Sequence, residues 1–113
     1  MNRSLTLVPA NSRAQPRRGE DAAERRFVAL AQSFPILRDR SGIDPWNPTF
    51  VDDWAASPGP GSGERWVLRF LLNLWDPYTD WPSGRFDVFE ALAAWDEAHR
   101  DAFLSWARDP WWP

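Results

Sequence analysis

Apolar residues recur at helical spacing in four stretches of the chain. In the first, they form a single stripe made of Ala23, Phe27, Leu30, Ala31 and Phe34. Acidic residues in the first turns of this stretch suit the positive end of a helix. Pro35 disfavours helical geometry at the residue before it. This pattern predicts a helix over about residues 20–33.

The next two apolar stretches predict helices over about residues 48–56 and 64–75. Asn47 followed by Pro48 is a typical helix start, with asparagine as the cap and proline in the first turn. The 64–75 stretch is apolar around most of its circumference, apart from a narrow polar strip of Arg65, Arg69 and Asn73. A helix of this kind is buried, so we expect it at the centre of the fold. The Pro/Gly-rich segment 57–63 before it predicts a flexible loop.

The longest predicted helix covers about residues 84–107. Its apolar face has the spacing of a core-facing helix and consists of Val88, Phe89, Leu92, Trp95, Ala102, Phe103 and Trp106. Together the four stretches predict an all-α fold, a small bundle of three to four helices. We expect residues 20–113 to form a single tryptophan-rich domain. Residues 1–19 contain four arginines and no acid, and we expect them to form a flexible basic N-terminal arm.

Composition narrows the classes of protein to which the chain can belong. It has no cysteine, which excludes a disulfide framework and a thiolate metal site. No apolar run is long enough to span a bilayer or to act as a secretory signal, so we expect a cytoplasmic protein without membrane contact. The 113 residues include nine tryptophans, and most of these large rings must be sheltered in a core or an interface.

Charge is divided unevenly along the chain. Residues 1–40 contain eight arginines and four acids, whereas residues 41–113 contain five arginines and twelve acids. A basic arm can attract an anionic partner, so one alternative is a nucleic-acid accessory factor that uses this arm. The acidic remainder lacks the basic face that a nucleic-acid domain presents. Nucleic acid is therefore the less favoured partner.

Asp96 and His99 are predicted to interrupt the apolar face of the last helix. Residues three apart are neighbours on a helix, and a carboxylate that orients a histidine is used in general-base catalysis and around metal ligands. A small enzyme or metal-dependent protein centred on this pair is a second alternative. The favoured interpretation is a buried structural cluster of Asp96, His99, Arg65 and Arg69. No catalytic or metal-binding motif accompanies the pair, so we predict no catalytic site, no metal and no cofactor.

Tryptophans beside prolines are the candidate binding residues. Segments 44–48 and 109–113 have the sequences Asp-Pro-Trp-Asn-Pro and Asp-Pro-Trp-Trp-Pro. Such a tryptophan either packs on the core beside a turn or is exposed as an interface anchor. Successive side chains of an extended segment alternate in direction, so Trp111 and Trp112 cannot both point inward. The leading hypothesis is a non-enzymatic protein-interaction or adaptor module that binds another protein through Trp46, Trp81, Trp111 and Trp112.

Overall fold

The computed structural model describes the backbone of residues 18–113 and the side chains of residues 22–113. Over this range the chain forms five α-helices and no strand, so the all-α prediction is confirmed. The helices are α1 (Arg18–Gln32), α2 (Pro48–Ala56), α3 (Ser62–Trp75), α4 (Val88–Ala94) and α5 (Glu97–Ala107), with a 3-10 turn at Pro35–Leu37. Most of the predicted N-terminal arm lies outside the described residues.

The predicted long helix over residues 84–107 is wrong, because the chain forms two helices there. Asp87 caps α4 at its start, where its side chain accepts hydrogen bonds from the backbone N–H groups of Phe89 and Glu90. The backbone of Trp95 is extended, with φ −85° and ψ 145°, and Asp96 then caps α5. Aspartate is among the best N-cap residues. Two such caps divide the segment, and this raises the helix count from the predicted three to four to five.

Asn47 and Pro48 set the start of α2 as predicted, whereas α3 begins without a side-chain cap. The Asn47 side chain accepts a hydrogen bond from the Phe50 N–H, and Pro48 occupies the first turn of α2. At α3 the cap is Gly61, which supplies no side-chain oxygen, and Ser62 is already helical. The α3 helix therefore depends less on capping than on the burial of its apolar residues.

Helix α3 lies at the centre of the fold, between α2 and α4. Val67, Leu68, Leu71 and Leu72 on α3 have no exposed surface. Around them lie the buried apolar residues of the other elements, including Phe27, Phe34, Leu37, Ile43, Val51, Trp95 and Phe103. Burial of this apolar surface is the main force that stabilises the fold. Over residues 18–113, no helix is both long and apolar enough to cross a membrane.

A connected group of aromatic rings joins α3 to the two C-terminal helices. The Phe70 ring centroid lies 5.2–5.9 Å from the centroids of four other rings, those of Phe34, Phe86, Phe103 and Trp106. Trp95 packs on Phe34 and Phe103 from the break between α4 and α5. Separations and tilts of this kind are favourable for aromatic pairs. The rings therefore hold the segment after α1, the centre of α3 and the second half of α5 together.

A buried carboxylate fixes the loop that precedes α4. The Asp52 side chain on α2 is 7% exposed, and its Oδ1 accepts a hydrogen bond of 3.0 Å from the backbone N–H of Ser83. The carbonyl of Ser83 in turn accepts a hydrogen bond from Arg69 on α3. Three separate parts of the chain meet at this one residue of the loop.

We expect Asp52→Ala to lower the free energy of unfolding by about 1–3 kcal/mol, because it leaves the buried Ser83 N–H without an acceptor. Urea denaturation of wild type and variant measures this loss. Asp53→Ala is the matched control, since Asp53 is the exposed neighbour on the same helix and its loss should change stability by less than about 0.5 kcal/mol. Equal effects of the two variants would contradict the role given to Asp52.

Candidate functional site

The structure brings Asp96 and His99 together at the start of α5. Asp96 Oδ1 accepts a hydrogen bond from the backbone N–H of His99 and lies 2.7 Å from His99 Nδ1. The Asp96 side chain is 70% exposed, whereas that of His99 is 13% exposed. The aspartate is thus a helix cap at the surface, not a residue of the apolar face as the sequence predicts.

His99 also binds the backbone of the segment that follows α1. Its Nε2 accepts a hydrogen bond of 3.2 Å from the N–H of Ile36, and its ring packs against Phe34. Nε2 must be unprotonated to accept, so Nδ1 carries the proton and donates to Asp96. Both ring nitrogens are therefore occupied. In this arrangement His99 has no free nitrogen with which to act as a general base or bind a metal.

The two arginines of the predicted cluster bind elsewhere. Arg65 donates to the carbonyls of Ala55 and Ser57 at the end of α2, and Arg69 donates to the carbonyl of Ser83. These guanidinium groups satisfy backbone acceptors at the end of α2 and in the loop before α4. The four residues do not form one cluster, and only the Asp96–His99 pair is present.

The pKa of Asp96 is lowered, chiefly by the hydrogen bond from the His99 side chain and next by the His99 backbone N–H. A carboxylate whose pKa is lower in the folded state stabilises the fold above its unfolded pKa, and this contribution is lost as the pH falls through the folded value. We therefore expect Asp96→Ala to melt at a lower temperature than wild type at neutral pH. The difference should shrink as the pH falls well below the ordinary value of 3.8.

Thermal melts followed by circular dichroism at a series of pH values measure this difference. Asp53→Ala is the control, because Asp53 is exposed and no helix start depends on it. An Asp96→Ala destabilisation that persisted unchanged at the lowest pH would contradict the capping role.

The four candidate tryptophans differ widely in exposure. Trp46 is only 8% exposed and packs edge-on against Phe27 in the core, so its expected exposure is wrong. Trp81 is half-buried, and its Nε1 donates to the carbonyl of Asp76. Trp111 is half-buried as well, whereas Trp112 is 61% exposed, in agreement with the alternation expected of an extended segment.

The C-terminal segment 109–113 lies against α1 and α5. The Trp106 Nε1 on α5 donates a hydrogen bond of 2.9 Å to the carbonyl of Trp111, and the Trp106 ring packs edge-on against that of Trp112 at 5.8 Å. From α1, the Arg26 guanidinium lies 4.0 Å from the centre of the Trp111 ring. Trp111 is thus held from both sides. Trp112 rests on one ring and turns most of its surface to solvent.

A groove of about 540 Å³ runs between α1 and α5 and ends at Trp106 and Trp111. Five of its lining residues are small: Ala29, Ser33, Ala98, Ala102 and Ser105. The groove is open because these side chains do not fill the space between the two helices. It also contains one charge from each helix, Arg26 from α1 and Asp101 from α5. We call the groove together with Trp112 the docking face.

Sequence reasoning missed the groove residues, although a signal for them exists. Ala98, Ala102 and Ser105 recur at spacings of four and three, as do Ala29 and Ser33 at a spacing of four. Such rows place small side chains along one side of a helix. What the sequence does not show is that α1 and α5, separated by more than sixty residues, present these rows to each other.

Among the described side chains, no group of three or more His, Cys, Asp or Glu residues is placed to hold a metal ion. No protein-family model matches this chain, and no curated protein and no solved structure matches it either.

Proposed function

We propose that this protein is a non-enzymatic interaction module that binds another protein through the docking face. The observation that carries the proposal is the position of Trp112, which is 61% exposed beside an open groove in which half of the lining residues are small. Tryptophan and arginine are the residues most enriched among those that dominate binding energies. The docking face presents Trp112 and Arg26 within one surface.

The docking face is preformed, which favours binding. Trp111 is held by Arg26 and by its backbone bond to Trp106, and the groove walls belong to two helices. A surface that is already ordered does not lose side-chain and backbone entropy again when a partner binds. A rigid groove beside an exposed aromatic ring therefore suits recognition of a protein segment better than a mobile tail would.

The two alternatives have less support. A catalytic or metal-binding role for Asp96 and His99 requires that His99 Nε2 be released from the Ile36 N–H. A nucleic-acid role depends on the arginines of the N-terminal arm, most of which lie outside the described residues. We place the module in the cytoplasm, with which the absence of cysteine is compatible.

We expect Trp112→Ser to weaken binding of a protein partner by about thirtyfold or more, which corresponds to the loss of about 2 kcal/mol at a dominant interface residue. Partners captured with wild type are identified, purified and titrated against wild type and variant by calorimetry. Phe89→Ser is the matched control, because Phe89 is 82% exposed but lies on α4, outside the docking face. Equal affinities of wild type and Trp112→Ser would overturn the proposal.

A further inference from the structure

We infer that the occupant of the groove is Trp112 of a second copy of this chain, in a dimer with two-fold symmetry. The inference rests on the proposed function, since it names the partner of the same docking face. In such a dimer each chain inserts its Trp112 ring between α1 and α5 of the other. Two identical insertions form across a single interface.

The shape of the docking face meets the requirement for two-fold pairing. In an interface of this symmetry the same patch faces itself, so every protrusion must lie beside a depression that receives it. Here the protrusion is Trp112, 61% exposed, and the depression is the groove of about 540 Å³. The two are adjacent, because the Trp106 ring lines the groove and contacts Trp112.

The charges of the docking face are also complementary to themselves. The Arg26 side chain stacks on Trp111 and makes no hydrogen bond within the described part of the chain, and the Asp101 side chain likewise has no hydrogen bond or ion pair there. One charge lies on each helix that lines the groove. A two-fold axis through the groove places Arg26 of each copy opposite Asp101 of the other, so both charges gain a partner.

The size of the docking face indicates a weak dimer. An inserted indole buries about 150–250 Å², so two of them supply only part of the ~1,200 Å² that a stable interface buries in total. The facing surfaces of α1 and α5 must supply the rest. An interface at this low end of the size range is weak, so dimerisation must be measured at high protein concentration.

Sedimentation equilibrium from about 10 µM to about 1 mM full-length protein tests the inference, because weak complexes dissociate in the micromolar to millimolar range. Wild type should pass from monomer to dimer, and Trp112→Ser should weaken dimerisation by at least about thirtyfold. Phe89→Ser should dimerise as wild type does. A wild type that stays monomeric throughout, or a dimer that Trp112→Ser leaves intact, overturns the inference.

A charge exchange tests the two-fold geometry. Arg26→Asp and Asp101→Arg should each be monomeric alone, because each places like charges opposite one another twice. Mixed in equal amounts, the two variants should form a dimer with each other. Positions 26 and 101 are both acidic in Arg26→Asp and both basic in Asp101→Arg. Every facing pair in the mixed dimer therefore has opposite charges. Arg85→Asp and Asp53→Arg are controls at exposed positions outside the docking face, and both should dimerise normally.

Variants that remain monomeric after mixing overturn the two-fold pairing. Circular dichroism verifies that each variant is folded, and Asp101→Asn, a change of nearly equal size, replaces Asp101→Arg if that variant is not. Asp101→Asn should weaken the dimer about tenfold, and an unchanged dimer would count against the pairing. If wild type is monomeric while Trp112→Ser still loses a different protein partner, the second-copy inference fails and the proposed function stands.

Discussion

We expect Phe70→Ala to lower the free energy of unfolding by about 3–5 kcal/mol. This is a large part of the total stability of a typical domain, which is about 5–15 kcal/mol. Phe70 is 4% exposed, and its ring contacts four others from three parts of the chain. Its removal leaves a cavity that none of those rings can fill by rotation alone, and the cost of such a cavity adds to the lost burial.

Urea denaturation followed by tryptophan fluorescence measures the effect of Phe70→Ala. The control is Phe89→Ala, which removes the same side chain from a position that is 82% exposed and should change stability by less than about 0.5 kcal/mol. A loss below about 1 kcal/mol for Phe70→Ala would contradict the central place of this ring in the core.

The second large effect is expected at Trp95, which holds the break between α4 and α5 in place. The side chain is 3% exposed, packs on Phe34 and Phe103, and donates from Nε1 to the carbonyl of Gly63 at 2.9 Å. We expect Trp95→Ala to cost about 3–5 kcal/mol. Trp95→Phe keeps an aromatic ring but removes the donor, and should cost about 1–3 kcal/mol.

The difference between the two Trp95 variants separates ring packing from the hydrogen bond. Both are measured by denaturation, with Tyr78→Ala as the control, because Tyr78 is 94% exposed and contributes almost nothing to the core. If Trp95→Phe were as destabilising as Trp95→Ala, the phenyl ring would contribute no packing at this position, which would contradict the role given to the contacts with Phe34 and Phe103.

The break at Trp95 shows what helical periodicity can and cannot predict. Both α4 and α5 direct apolar residues toward the same core, so the pattern continues across the break and predicts one helix. The sequence also contains a local signal for the break, because Asp96 caps α5 and Glu97 lies in its first turn. In a prediction from the sequence, the uninterrupted helical periodicity is the stronger signal, and it indicates one helix. The central position of α3 follows directly from its apolar circumference, because no surface helix accommodates so many large apolar side chains.

The candidate site is harder to predict because it depends on distant parts of the chain. Trp46 and Trp111 follow the same Asp-Pro pair, yet Trp46 packs on Phe27 and Trp75 in the core, while Trp111 lies under Arg26 at the groove. Trp46 lies within a turn, whereas Trp111 lies in the irregular segment that follows α5. The shared Asp-Pro pair therefore does not give the two tryptophans the same local structure or the same burial.

The most direct test of the docking face is photo-crosslinking from position 112. Trp112→benzoylphenylalanine is produced in cells and irradiated, with Phe89→benzoylphenylalanine as the control at an exposed position outside the face. We expect strong crosslinks from position 112 to another polypeptide, and in a crosslinked second copy the attachment points should lie within residues 98–105 or 26–33. Crosslinking from position 112 that is no stronger than from position 89 would contradict the docking role of Trp112.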